Sequence, residues 1–177
     1  MPLKPVDNAP ATPVELASET ADRDDAMVGE LMSLVPKAVR LAMVVGLSAD
    51  EAADAVQDAT IQAWRRGAQL RGPLMPWFLT IVRRRALRTR RWVTFPSFWR
   101  PGLPGSQGRE PAWSSEMVAA LATLPARQRA ALWLRYGLDM STADVARVLG
   151  TSEGSVKQLL LRARAGARAR LHLEAGR

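Results

Sequence analysis

A chain of 177 residues with a formal net charge of +8 has room for one medium domain or two small ones, and 47% hydrophobic residues suffice for a folded core. It holds no cysteine and a single histidine, His172, which excludes disulfides and thiolate metal sites and argues against a zinc site, a cofactor anchored by such ligands, or a histidine-based catalytic triad. Residues 1–62 carry 4 basic and 11 acidic side chains, whereas residues 63–177 carry 21 basic and 6 acidic ones, so two different partners are expected, with a polyanion for the basic part.

The first stretch, MPLKPVDNAPATPVELASETADRDD, lacks the basic-then-apolar order of a secretion signal. Rich in proline and acid, residues 1–22 are expected to be a disordered lead-in. No apolar run approaches the ~18 residues of a membrane span, so no membrane insertion and a cytoplasmic location are expected. DDAMVGELMSLVPKAVRLAMVVG then reads as a helix ending near Gly46, with a bend possible at Pro36. In SADEAADAVQDATIQAWRRG, Ser48 and Glu51 form a capping box and Gly67 closes the helix. Ala52, Val56, Ala59 and Ala63 share its core face, and Trp64 is expected in the core as well. Asp54, Gln57, Asp58 and Ile61 lie on another side and need a different account.

After the loop RGPLMP, a third helix is expected from Pro76 or Trp77, with Trp77, Phe78, Ile81 and Val82 as its apolar side. Arg83, Arg84, Arg85, Arg88, Arg90 and Arg91 crowd its end with no acid among them, a self-repulsion that a polyanion or solvent must screen. VTFPSFWRPGLPGSQGREPAW, residues 93–113, repeats proline and glycine without a helical period and reads as a linker.

Beyond it, SSEMVAALATL reads as a short helix, and LPARQRAALWLRYG as one that begins at Pro125 and stops at Gly137. In STADVARVLGTSEGSVKQLLLRARAGARARL, Ser141 with Asp144 caps a short helix, Gly150 supplies a positive-φ corner and Val156 plugs the gap between two helices. Ser152 caps the second helix. Its first turns carry Glu153, Ser155, Lys157 and Gln158, the part that a helix-turn-helix presents to base edges, and Arg162, Arg164, Arg168 and Arg170 follow for phosphates. The alternative is an ordinary helical hairpin with a solvated basic face.

LATLPARQRAALWLRYGLDMSTADVARVLGTSEGSVKQLLLRARAGARARL resembles region 4 of bacterial sigma factors, in its LPARQR start, its LRY helix end and its SEGSVK entry to an RAR tail. ADEAADAVQDATIQAWRR and PWFLTIVRRRALRTRR are similar to the two signature helices of region 2. Both halves, their order and the joint resemble the extracytoplasmic-function (group IV) sigma factors of the sigma-70 family, over roughly Asp24 to Leu171.

The resemblance implies an all-α protein of two small helical domains, a region 2 bundle over 23–92 and a region 4 helix-turn-helix over 114–177, joined by a flexible linker. It implies a promoter-specificity subunit and no enzyme, with no cofactor and no metal. Its partners would be core RNA polymerase, through clamp and flap, promoter DNA, and an anti-sigma factor. Asp54, Gln57, Asp58 and Ile61 would meet the polymerase clamp. Arg65, Arg66, Arg71, Trp77, Arg83, Arg84, Arg88 and Arg91 would lie at the −10 element, Trp77 more as a core anchor than as a melting wedge. Ser152, Glu153, Ser155, Lys157, Gln158, Arg162 and Arg164 would lie at the −35 element. The chain departs from the family pattern at Arg84 and Arg88, where Asn and Asp are usual, and at Leu159, where Arg is usual. Two other readings stay open: a stand-alone helix-turn-helix regulator using the second half, and a sigma mimic that binds an anti-sigma factor.

Overall fold

The computed structural model describes residues 13–67, 70–89 and 115–175. Among these residues the regular structure is helical and there is no strand. The helices are α1 (Pro13–Val44), α2 (Ala49–Arg65), α3 (Leu74–Thr89), α4 (Ser115–Ala122), α5 (Ala126–Leu132), α6 (Thr142–Leu149) and α7 (Glu153–Ala175). The expected linker over 93–113, Arg90 and Arg91 lie outside the described residues, as do the first twelve positions. Helix α1 begins at Pro13, inside the stretch whose composition suggested a lead-in, and it continues through Pro36.

In the first half α1, α2 and α3 pack on one another in every pair. The capping box at the start of α2 is closed in both directions: Ser48 Oγ accepts from the Glu51 amide at 3.2 Å, and Glu51 Oε2 accepts from the Ser48 amide at 2.9 Å. The inward face of α2 is nearly all small, with Ala52, Ala55, Val56, Ala59 and Ala63 buried, so its neighbours approach closely. Helix α3 starts at Leu74, two residues before the expected Pro76, because proline is accepted in a first turn whose amides have no partner anyway.

In the second half, α5 does not run evenly to its end. Its last stretch, Trp133–Gly137, widens into a π turn, and the Leu138 amide donates back to Trp133 O at 3.1 Å. Gly137 is required there, since a Cβ at this position would stand 2.4 Å from the Trp133 ring. Trp133 itself is buried and fills the space beneath the turn.

The two halves do not stand apart. One cluster of buried apolar side chains runs from Leu31 and Phe78 in the first half to Val145 and Leu160 in the second. Helix α3 packs on α6, and α1 touches α5 and the π turn. Where these faces meet, Arg129 of α5 is only 5% exposed, and its Nε donates to Val44 O at 2.7 Å.

Candidate nucleic-acid interface

Helices α6 and α7 are set at their angle by three local devices, each legible in the residues. Ser141 Oγ accepts from the Asp144 amide at 3.0 Å and starts α6. Gly150 ends it with φ 60° and ψ 50°, the left-handed corner that side-chain-bearing residues avoid. Ser152 Oγ then accepts from the Ser155 amide at 3.2 Å and starts α7. Val156, fully buried, fills the angle between the helices together with Ala146 and Leu160. This is helix-turn-helix geometry, and it leaves the outer face of α7 open.

On that face Ser152, Glu153, Ser155, Lys157, Gln158 and Arg162 are all exposed. Leu159 is half-buried and packs on the core, so the position where the family pattern has Arg is spent on packing. Ser152, Ser155, Gln158 and Arg162 line one polar cleft ahead of α7, and Arg127 of α5 joins them. Arg127 was not among the expected site residues, since only the turn from α5 to α7 brings it there. Arg164 lies elsewhere. With Arg168 it edges an apolar groove of about 370 Å³ formed by Met117, Leu121, Leu132, Tyr136, Ala167 and Leu171. The expected −35 set is therefore divided between two sides of α7.

On α2, Asp54, Gln57, Asp58 and Ile61 are exposed along one stripe. Trp64 continues it at 52% exposure, which corrects the expectation of a core tryptophan. The inward face of α2 is made by Ala52, Ala55, Val56, Ala59 and Ala63, and Trp64 falls outside it. Asp58 pairs with Arg85 of α3, so one acid does reach the arginine-rich helix end, from a neighbouring helix and not from α3 itself.

Of the residues expected at the −10 element, Arg65, Arg66, Arg71, Arg84 and Arg88 are exposed. Trp77 is half-buried and packs on the core. Arg83 is held back: its Nη1 donates to Val148 O at the end of α6, at 3.5 Å. Burial, and then the nearby Arg127 and Arg84 guanidinia, lower its pKa from the ordinary arginine value. Among the described residues there is no cluster of metal-ligating side chains, and no helix is long and apolar enough to cross a membrane.

A helix-turn-helix with an open reading face, set beside a three-helix bundle with an acidic outer stripe, defines a two-part DNA-binding transcription factor. The chain belongs to the sigma-70 family and is an extracytoplasmic-function sigma factor, the promoter-specificity subunit of RNA polymerase. The model of sigma-70 region 2 matches residues 31–92, and that of sigma-70 region 4 matches residues 114–165. The chain is 34% identical over 134 residues to the ECF RNA polymerase sigma factor SigM of Mycobacterium tuberculosis, covering 71% of this chain and 67% of the relative. Among solved structures it is similar to the sigma factor RpoE in complex with the anti-sigma factor NepR from Bartonella quintana, with a TM-score of 0.62, 26% identity, and coverage of 81% of this chain and 95% of that one. The fold is shared too with CnrH in complex with the cytosolic domain of CnrY, at TM-score 0.62 and 22% identity over 89% of this chain and 96% of that one. As a sigma factor it is a transcription initiation factor.

Proposed function

We propose the following division of labour over the surface. The α2 stripe of Asp54, Gln57, Asp58 and Ile61 docks on the polymerase clamp. The exposed first turns of α7, with Ser152, Glu153, Ser155, Lys157, Gln158 and Arg162, read the −35 element in the major groove. Arg65, Arg66, Arg71, Arg84, Arg88 and Arg91 serve the −10 element, while Trp77 anchors α3 from within. Arg83 joins this set only when its bond to α6 is released. Arg164 and Arg168 edge the apolar groove, and that groove is the place where the second half sits on the polymerase flap.

The observation that supports this reading is the exposed polar face of α7 held by the Ser141, Gly150 and Ser152 corner, since the N-terminal side chains of the second helix are the ones a helix-turn-helix presents to base edges. Each phosphate neutralised steepens the salt dependence of DNA affinity by about 0.9 in log–log slope. The similar sigma factor RpoE from Bartonella quintana is in complex with the anti-sigma factor NepR, which supports an anti-sigma partner for this chain as well.

The test is run-off transcription by purified core polymerase over a pool of promoter fragments, with and without the protein. Discrete new transcripts are expected, and Asp54→Ala with Gln57→Ala should abolish both transcripts and polymerase binding while leaving DNA binding by the second half. Firm DNA binding with no transcript would replace this reading with a stand-alone regulator. Neither activity would leave a mimic that occupies an anti-sigma factor.

A further inference from the structure

The contact between the halves gathers positive charge that nothing among the described residues neutralises. From the first half comes Arg83, half-buried, with its Nη1 3.5 Å from Val148 O and 4.0 Å from where a Cβ on Gly150 would stand. Arg84 follows it on the exposed side of α3. From the second half comes Arg127, which lines a polar cleft of about 480 Å³ together with Thr151, Ser152 and Ser155, beginning one residue past Gly150. Arg85, Arg135 and Arg147 each have an aspartate partner. Arg83, Arg84 and Arg127 have none among the described residues.

Two forces therefore oppose each other at this junction. Apolar packing of α3 on α6 and the buried Arg129–Val44 bond draw the halves together. Three guanidinia with no acidic partner among the described residues, one of them partly desolvated, push them apart, and the push is strongest where solvent is thinnest. An anion placed between them would turn the repulsion into attraction.

We propose that this junction is an anion site assembled from both halves, in which Arg83, Arg84 and Arg127 hold an oligophosphate, two or more linked phosphoryl groups, only while the halves are together. The guanidinium fork matches phosphate oxygens in pairs, and three forks suit a ligand with several negative charges. The hydroxyls of Thr151 and Ser155 line the adjoining cleft as further donors. Half-burial of Arg83 between α3 and the end of α6 favours a small anion over a duplex laid across α7. A ligand that binds only the closed arrangement raises its population in proportion to the differential affinity. The site thus makes the closed arrangement responsive to oligophosphate concentration.

The chain has no cysteine, so Ala53→Cys in α2 and Ala165→Cys in α7, both exposed, give one unambiguous pair of spin labels across the junction. Double electron–electron resonance on the full chain is expected to show tripolyphosphate narrowing the distance distribution to its short component, where sodium chloride at equal ionic strength does not. Arg84→Gln with Arg127→Gln, both at exposed positions, should weaken the tripolyphosphate midpoint about tenfold or more, the effect of losing charge-assisted bonds. Lys37→Gln with Arg170→Gln, both at exposed positions away from the three arginines in sequence, removes the same two charges and should leave the midpoint in place. Circular dichroism confirms that each variant is folded. An identical response to chloride would overturn the proposal, as would an unchanged midpoint in the double variant. So would a response to a short non-promoter duplex with none to tripolyphosphate, which would show that these cations serve DNA alone.

Discussion

Arg129 donates through Nε to Val44 O at 2.7 Å, across 85 positions of sequence, and through Nη1 to Leu124 O at 2.8 Å. The same nitrogen lies 3.5 Å from Ala122 O. One guanidinium thus serves the C-terminal ends of α1 and α4, which belong to different halves. Helix α1 has no basic residue in its own last turn, so Arg129 supplies the cation that its terminal carbonyls and dipole favour. Five donors in a fixed fork make this possible; an ammonium has neither the span nor the planarity.

Replacing Arg129 should therefore destabilise both halves at once. Arg129→Ala leaves Val44 O and Leu124 O short of a partner in a buried setting, and is expected to lower unfolding free energy by about 2–4 kcal/mol. Arg129→Lys should recover less than half of that. Urea denaturation followed by circular dichroism reads the effect. A loss below ~0.5 kcal/mol, the range of an ordinary surface change, would mean that the bridge contributes little.

At Gly150 the backbone alone decides. Its φ of 60° is left-handed, and the only atom near a would-be Cβ is Arg83 Nη1 at 4.0 Å. Gly150→Ala therefore meets no clash, only conformational strain of about 1–2 kcal/mol. Gly150→Asn should cost less, because asparagine tolerates this region. Thermal unfolding should rank the three as Gly, Asn, Ala. Weakened −35 binding is expected to follow the same order, since this corner aims α7.

The corner was readable in the sequence because it is built from residues close in the chain: Ser141 with Asp144, Gly150, Ser152 with Ser155, and Val156. The capping box of Ser48 and Glu51 was readable for the same reason. What was not readable depends on distant partners. Arg85 looked unneutralised because its aspartate is on α2. Trp64 looked like core because an aromatic in an alanine-rich helix usually is, yet the core face of α2 was already complete without it. The widened turn at Trp133 follows from how a buried indole sits against Gly137, which composition does not reveal. Nor does helical periodicity show that two patterned halves share one apolar cluster.

Asp58 offers a way to separate structural from functional roles. Its carboxylate pairs with Arg85 while both side chains remain more than 40% exposed. Exposed pairs of this kind contribute about 0–1 kcal/mol. Asp58→Asn should shift stability by no more than that. If the α2 stripe meets the polymerase clamp, the same change should weaken core binding several-fold by surface-immobilised polymerase titration. Equal stability with equal affinity would remove Asp58 from the interface and leave it a solvated surface acid.

Trp64 gives the sharpest form of the same test. At 52% exposure it stands on the stripe three residues past Ile61, itself 43% exposed, and together they present an apolar end to an otherwise acidic face. An indole left half in water contributes little to folding, so Trp64→Ala should change unfolding free energy by less than about 1 kcal/mol. Buried against a partner, the same ring is the kind of side chain that dominates an interface, and its truncation should then reduce core polymerase affinity by ~2 kcal/mol, about thirtyfold. Ile61→Ala should show a smaller loss of the same sign. Double-mutant coupling between the two positions should be positive, since neighbouring side chains share one patch of partner surface. A large stability loss with unchanged polymerase affinity would instead mean that the indole packs inward in solution, and the stripe would then end at Ile61.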